Sequence, residues 1–478
     1  MSTETVSPTI HTVSDEQVQA LQGATLKILG ETGVEMQDPM GREILLDAGA
    51  EESEGRIKIP ENLVTDAIDR APSSFPLFDR KGDNHMQLEQ GRVYFGSGSD
   101  TTFTHDVETG ERRRTVSEDV ERMARLGDAL ENLDFIMSMG NPSDVPPDDL
   151  YIHSFMQMLR GSVKPNIYTA KNRKDVEDIF RIAVAVAGGE QALREKPFFL
   201  LYAEPISPLL IPEESLQKVI FCAEKGIPGA YLPSPNTGGG GPITLAGAVA
   251  LGNAECLVGL ILSQLIRPGT PYLYGMNTAA MDMKSTIVSY GSPEWSLGMS
   301  AWTALARSYD LPSWGYGGAS DSKVVDAQAG LEATFSILTA LLTRCTIVHD
   351  VGYIEYGSTS SAELLVIADE IISMARNFMQ GLVIDETTLA LEAIARVRPG
   401  AGFLADNHTL DNWRWAQWAP DLIDRRRYNK WEGAGSKDIL TRANERVRAI
   451  LAEHQVPPVP AAGEAAFKEV LAERAATR

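Results

Sequence analysis

The sequence predicts an α/β protein built on a (β/α)8 TIM barrel, and three observations lead there. Across 91–380, short strand-like runs alternate with longer helical stretches eight times. No Gly-x-Gly-x-x-Gly turn accompanies them, which favours a closed barrel over an open doubly wound sheet. Several of the strands also run into turn-forming residues before the next helix, most plainly PSWGYGGASD at 312–321, a strand-to-helix corner of the sort that holds ligands. Alternation puts Trp314 and Tyr316 on one face of that strand.

The elements follow in order. Residues 14–30 open with Ser14-x-x-Gln17, carry apolar residues at helical spacing and stop at Gly30, the pattern of a capped amphipathic helix. Short helices and turns follow, Pro60 opening one of them, so 1–90 reads as an N-terminal helical cap. The predicted strands are 93–98, 135–141, 165–170, 198–204, 228–233, 271–277, 313–318 and 347–353. Helical stretches near 117–132, 147–160, 173–187, 213–225, 243–266, 293–309, 324–343 and 362–380 alternate with them. Residues 99–115 read as a hairpin over the barrel mouth, with Thr109-Gly110 at its tip. The apolar run 247–266 carries Asn253 and Glu255, which marks a buried core helix rather than a membrane span. Beyond the barrel, 381–478 reads as a C-terminal helical extension. Trp413, Trp415, Trp418 and Trp431 crowd its first half, the composition of a packed subdomain or of an oligomer or partner contact.

Charge narrows the function. Sixty-five acidic against forty-three basic residues give a net charge of -22, which argues against nucleic acid and anionic membrane surfaces and suits a cationic ligand. Three cysteines make no disulfide framework, and the N-terminal residues have no basic-then-apolar leader pattern, so the expected compartment is the cytoplasm.

In a barrel, working groups come from the carboxyl ends of strands and the loops after them. Tyr168, Tyr202, Glu204, Tyr231, Tyr274, Met276, Asn277, Trp314, Tyr316, Asp321, His349, Asp350, Tyr353 and Glu355 stand there. Aromatics are over-represented among them, and an aromatic wall is what a quaternary ammonium needs. It has no N–H to donate and is held by ring quadrupoles, at roughly 0.5 to 2 kcal/mol per ring. Strand alternation points His349 and Asp350 to opposite faces, which gives no ready acid-base dyad. Cys222, Cys256 and Cys345 lie away from the mouth and read as structural, so no metal site is expected. The run Gly238 to Gly241 before a helix offers amides to an anion but brings no Lys-Ser or Lys-Thr.

Several stretches are familiar. ILGETGVEM, AGAE, IPENLVTDAIDRAP, GSGSDTTFTHD, GGASDSKVVDAQAGLEA, and VHDVGYIE followed by SAELLVIADEII resemble the trimethylamine methyltransferase family over nearly the whole chain. The resemblance implies a (β/α)8 barrel that moves a methyl group to the Co(I) of a corrinoid on a separate small protein. The chain has only standard residues, so it resembles the non-pyrrolysine branch, whose substrates are quaternary amines: glycine betaine, carnitine, γ-butyrobetaine or proline betaine. The position equivalent to pyrrolysine is expected in 318–330. Glycine betaine, the smallest, is the default. No Asp-x-His-x-x-Gly corrinoid signature is present, so the cobalamin-type cofactor must arrive on the partner. A betaine carboxylate would be answered by His349, with Asn277 and Lys323 behind it. Its cationic end would meet Tyr94, Phe95, Tyr202, Tyr231, Tyr274, Trp314, Tyr316 and Tyr353, with Glu204 or Glu355 adding charge. The competing readings are a non-catalytic quaternary-amine binding protein and an unrelated barrel lyase or hydrolase using His349, Asp350 and Glu204. The exposed tail predicts a homo-oligomer.

Overall fold

A computed structural model describes residues 6–478. Among the described residues, eight parallel strands close into a barrel: β1 (Tyr94–Ser97), β2 (135–136), β3 (Asn166–Tyr168), β4 (Phe199–Ala203), β5 (Gly229–Tyr231), β6 (Tyr272–Gly275), β7 (Ser313–Tyr316) and β8 (Ile347–Val351). Seven of them form one sheet in the order β1-β8-β7-β6-β5-β4-β3. β2 closes the ring through single bridges from Phe135 to Gly96 and from Ile136 to Asn166. The strand expected over 135–141 is this short because Ser97 Oγ takes the place of a backbone partner. It accepts from the Met137 amide at 2.9 Å and donates to the Met137 carbonyl at 3.1 Å.

Each strand is followed by a helix of the outer ring: α1 (Ser117–Ala129), α2 (Leu150–Gly161), α3 (Arg173–Ala187), α4 (Glu213–Lys225), α5 (Leu245–Ile266), α6 (Pro293–Ser308), α7 (Ala327–Thr343) and α8 (Ala362–Met379). α5 is long and apolar enough to span a membrane by length and composition, and most of it is buried inside the molecule. That burial explains its lack of a polar face.

Strand parity divides the core in two. Phe95, Tyr231, Tyr274 and Val348 pack outward between sheet and helices, whereas Met137, Ile167, Leu200, Ala230, Leu273 and Ile347 fill the barrel interior. The region before the barrel is less helical than its sequence suggests. It contributes a hairpin, Phe75–Phe78 with His85–Leu88, whose Leu77 and Leu88 join the interior cluster. The Phe78 amide donates to the Pro197 carbonyl at 2.7 Å and the Arg80 amide to the Val163 carbonyl at 2.9 Å. Both acceptors precede their strands, so the hairpin stoppers the amino end of the barrel and chemistry is left to the carboxyl end.

At that carboxyl end the expected hairpin is present. Phe103–His105 pairs with Arg112–Arg114 and also with Thr359–Ser360 beyond β8. A second hairpin, Ala280–Asp282 with Ile287–Ser289, follows β6. After α8, Ile439–Glu453 packs on α8 and α1, and Ala461–Thr477 packs on α3, where partly buried Arg474 meets Asp175 at 2.7 Å and Asp178 at 2.8 Å.

Candidate functional site: an acidic, aromatic cup at the barrel mouth

Five predicted residues meet on the inner wall. Asn277 is the hub. Its Nδ2 donates to the Tyr202 hydroxyl at 2.8 Å and its Oδ1 accepts from Trp314 Nε1 at 3.0 Å. These bonds fix which way the amide points. The same Oδ1 faces His349 Nε2 at 3.4 Å. The Trp314 ring lies 4.1 Å from the His349 ring and 5.2 Å from the Tyr202 ring, both tilted. Tyr316 sits one step higher on the inner face of β7, since a Cβ on the intervening Gly315 would meet Cys345 and Met299 on the helix side. Its ring stacks on Trp295, from the first turn of α6, at 3.6 Å between centroids.

His349 and Asp350 do not diverge as alternation predicts. β8 carries an extra residue relative to β1 between Val348 and Val351, and Asp350 adopts φ 74°. This bulge swings the Asp350 carboxylate to 2.5 Å from His349 Nδ1, a close contact whose direction lies off the ring's N–H axis. A non-glycine residue at such φ costs about 1 to 3 kcal/mol, a strain typical of functional sites. Of the two ring nitrogens of His349, Nε2 faces Asn277 Oδ1 and Nδ1, packed against Asp350, makes no hydrogen bond.

Charge gathers beside this network. Glu204 follows β4 directly at the barrel mouth, open to solvent but closely surrounded by protein. Burial pushes its carboxyl up to about 7; nearby Lys218 works against that shift, while Asp100 and Asp350 add to it. Asp100, at the exit of β1, is also raised by burial, although Thr169 Oγ1 at 3.1 Å and Ser99 Oγ at 3.2 Å donate to it. Lys218 is lowered by burial and opposed chiefly by Glu204 and Asp100. Its Nζ donates to the Ala170 carbonyl at 2.7 Å and has no carboxylate within 4 Å among the described residues. Two of its three N–H bonds are therefore uncommitted.

Aromatic rings roof the cup. Tyr290 lies edge-on to Trp295 at 4.3 Å and 6.3 Å from Tyr353. Burial raises the Tyr290 phenol, with Asp350, Glu204 and Asp321 adding to the shift. Tyr353 packs flat on the Gly98 backbone, where any Cβ would clash, and its hydroxyl donates to the Ser99 carbonyl.

Other predicted residues lie elsewhere. Phe95, Tyr168, Tyr231 and Tyr274 face outward by strand parity. Tyr231 bonds Ser215 of α4 at 2.9 Å and Tyr274 donates to Asn253 of α5 at 2.8 Å. Tyr94 faces inward at the stoppered end, its hydroxyl bonded to Gln87. Asp321 holds the roof, accepting from Ser289 Oγ at 2.5 Å and the Tyr290 amide at 2.7 Å. Glu355 is occupied by Arg112 at 2.7 Å, stapling the first hairpin. Lys323 donates to the Asp321 carbonyl on the exposed rim. In the glycine run, the Gly238, Gly239 and Gly241 amides are spent within the loop, on Gly241 and Asn236 carbonyls. The three cysteines are buried and free, and among the described residues no cluster of His, Cys, Asp or Glu is arranged for a metal.

Asp100, Lys218, Tyr290 and Trp295 escaped sequence reasoning. Asp100 follows β1 directly in GSGSD and had the positional signal. Tyr290 and Trp295 come from a long excursion after β6, past the strand exit, and Lys218 reaches in from the second turn of a helix.

The trimethylamine methyltransferase (MTTB) family model matches residues 2–478. The chain is 32% identical over 469 residues to glycine betaine methyltransferase of Desulfitobacterium hafniense (strain Y51), covering 98% of both chains. It is 35% identical over 456 residues to trimethylamine methyltransferase MttB of Methanosarcina thermophila, covering 94% of each. In structure it is similar to the monomethylamine methyltransferase MtmB of Methanosarcina barkeri, with a TM-score of 0.53 at 13% identity over 95% of this chain and 90% of that one, which supports the fold. The chain belongs to the trimethylamine methyltransferase family.

Proposed function

We propose that this methyltransferase takes a methyl group from a quaternary amine, glycine betaine first, and delivers it to the Co(I) of a corrinoid held by a separate protein. The observation that carries this reading is the cup itself: Glu204, Asp100 and Asp350 close to Tyr202, Trp314, Tyr290, Trp295, Tyr316 and Tyr353, with Lys218 as the buried cation beside them. A permanently charged, N–H-free group gains there both from ring faces and from carboxylates that are poorly hydrated.

In the reaction the lone pair of Co(I) forms the cobalt–carbon bond as the carbon–nitrogen bond breaks. The bonding pair stays on nitrogen, which leaves as a neutral tertiary amine; from glycine betaine this gives dimethylglycine. No proton moves, so the protein's part is alignment of one methyl toward the mouth and exclusion of water. Lys218 stands ahead of His349 as the group that answers the betaine carboxylate, because it is a cation with two uncommitted N–H bonds. A ligand with a carboxylate on Lys218 and a trimethylammonium against Glu204 lies with its charges opposed to those of the wall.

The test mixes the chain with a reduced corrinoid protein and, in turn, glycine betaine, carnitine, γ-butyrobetaine, proline betaine and trimethylamine, and follows the visible spectrum. Conversion of Co(I) to methyl-Co(III) with a betaine supports the proposal. Conversion with trimethylamine alone overturns the substrate, binding without conversion leaves a quaternary-amine binding protein, and turnover without corrinoid leaves a lyase or hydrolase.

A further inference from the structure

The loop that leaves β3 anchors Lys218. Among the described residues Lys218 Nζ makes one hydrogen bond, to the Ala170 carbonyl at 2.7 Å. The N–H of that same peptide group, on Lys171, donates to Asp175 Oδ2 at 3.0 Å. A trans peptide points its C=O and N–H in opposite directions, so this planar group lies between the ammonium of Lys218 and the carboxylate of Asp175. Charge-assisted bonds of opposite sign at its two ends polarise it in one sense, and each strengthens the other. Asp175 stands in the first turn of α3 and is 3% exposed, with its own amide donating to the Asn172 cap at 3.1 Å.

A buried carboxylate needs a counter-charge, and Arg474 of the helix Ala461–Thr477 supplies it. Arg474 Nη2 meets Asp175 Oδ1 at 2.7 Å, Nε meets Asp178 Oδ2 at 2.8 Å, and Nη1 donates to the Asp148 carbonyl at 2.6 Å. The two carboxylates differ in what else they have. Asp178 is also met by Lys174 Nζ at 2.7 Å, whereas Arg474 is the one cation within 4 Å of Asp175 among the described residues. Without Arg474, Asp175 would be buried and unpaired, and would take a proton or turn away, slackening its hold on the Lys171 N–H. The helix does not depend on Arg474 for its docking. Glu464 pairs with Arg160 at 2.6 Å, Glu473 pairs with Arg181 at 2.7 Å, and Phe467 and Val470 are buried.

We propose that Arg474 is a positioning residue for the anion end of the cup, an inference that rests on Lys218 answering the substrate carboxylate. Through Asp175 and the 170–171 peptide it fixes Lys218 Nζ and leaves two N–H bonds aimed at the ligand. The three side chains come from three helices, at 175, 218 and 474, and meet across one peptide plane. Arg474 thereby favours amines that carry a carboxylate over those that do not.

Calorimetric titration of Arg474→Met with glycine betaine and with tetramethylammonium tests this, beside competitive acetylation of Lys218 in the ligand-free full chain, read by mass spectrometry. Betaine binding should weaken about fivefold and tetramethylammonium should stay within about twofold, and Arg474→Lys should recover most of the loss. In a Lys218→Met background, adding Arg474→Met should cost the betaine nothing further. Acetylation of Lys218 should be several-fold faster in Arg474→Met than in the wild-type chain. Equal loss of both ligands, an Arg474 effect undiminished in Lys218→Met, or an unchanged acetylation rate would each overturn the proposal. Where Arg474→Met does not fold, Asp175→Asn, which keeps the shape, should give the same pattern. The acetylation arm uses no ligand and so separates two failures. If Lys218→Met binds betaine as the wild type does while Lys218 acetylation still responds to Arg474, the anchoring of Lys218 stands and its role toward the substrate falls.

Discussion

At the upper ends of β4 to β7, aromatic residues occupy both faces of the barrel wall, and the two faces use them differently. Outside, Tyr231 and Tyr274 are buried against helices with their hydroxyls spent on Ser215 and Asn253. Inside, Tyr202 and Trp314 are tied to one amide, Asn277, and stand beside carboxylates whose charge is not matched by an ion pair. The residue types are alike and the heights are alike. What differs is strand parity, and with it whether a ring meets an apolar helix or an acidic cavity. An aromatic at a strand exit therefore indicates a ligand only when it shares its face with unpaired charge.

The sharpest break of that contrast is Glu204→Gln. It keeps the shape and removes the charge, so affinity for glycine betaine should fall by on the order of 2 kcal/mol, about thirtyfold, measured by calorimetric titration at pH 8. Lys218→Met comes next. It should cost glycine betaine about tenfold, ~1.4 kcal/mol, and leave tetramethylammonium, which has no carboxylate, equal or tighter. Loss of both ligands together would remove Lys218 from the anion end.

pH gives a smaller effect with a definite sign. The folded-state pKa of Glu204 is raised from 4.5 to about 7, so the folded protein holds this proton more tightly than the unfolded chain does. The stability it contributes is complete below 4.5 and is lost as pH rises through 7. Glu204→Gln should therefore raise Tm at pH 8 and leave it nearly unchanged at pH 4.5. A bound cation favours the ionised form, so betaine affinity should increase several-fold from pH 5 to pH 7 and level off above. The smallest effect on binding belongs to the outer face. Tyr274→Phe leaves Asn253 Oδ1 without its donor and should cost about 1 to 2 kcal/mol in chemical denaturation, with betaine affinity within twofold of wild type.

The barrel was legible in the sequence because its signal is repetition, and eight alternations survive errors in any one element. β2 was over-read because a serine side chain, Ser97, substitutes for backbone pairing, and no local pattern announces that. Positions at strand exits are legible too, but position along a strand does not say which residues face outward, as Phe95, Tyr231 and Tyr274 do. His349 and Asp350 failed in the opposite way. Alternation sends the two side chains to opposite faces, and one bulged residue reverses that. Lys218 and Trp295 come from helices and meet the mouth only in three dimensions, and for such residues the chain carries no spacing rule.

The account rests on a cavity that selects for positive charge. The most direct measurement compares, by titration calorimetry at pH 8, glycine betaine with 3,3-dimethylbutyrate, the same shape with a neutral carbon in place of nitrogen. Binding of the betaine at least tenfold tighter than its carbon analogue is the predicted result. Equal affinity, or a preference for the carbon analogue, would contradict it.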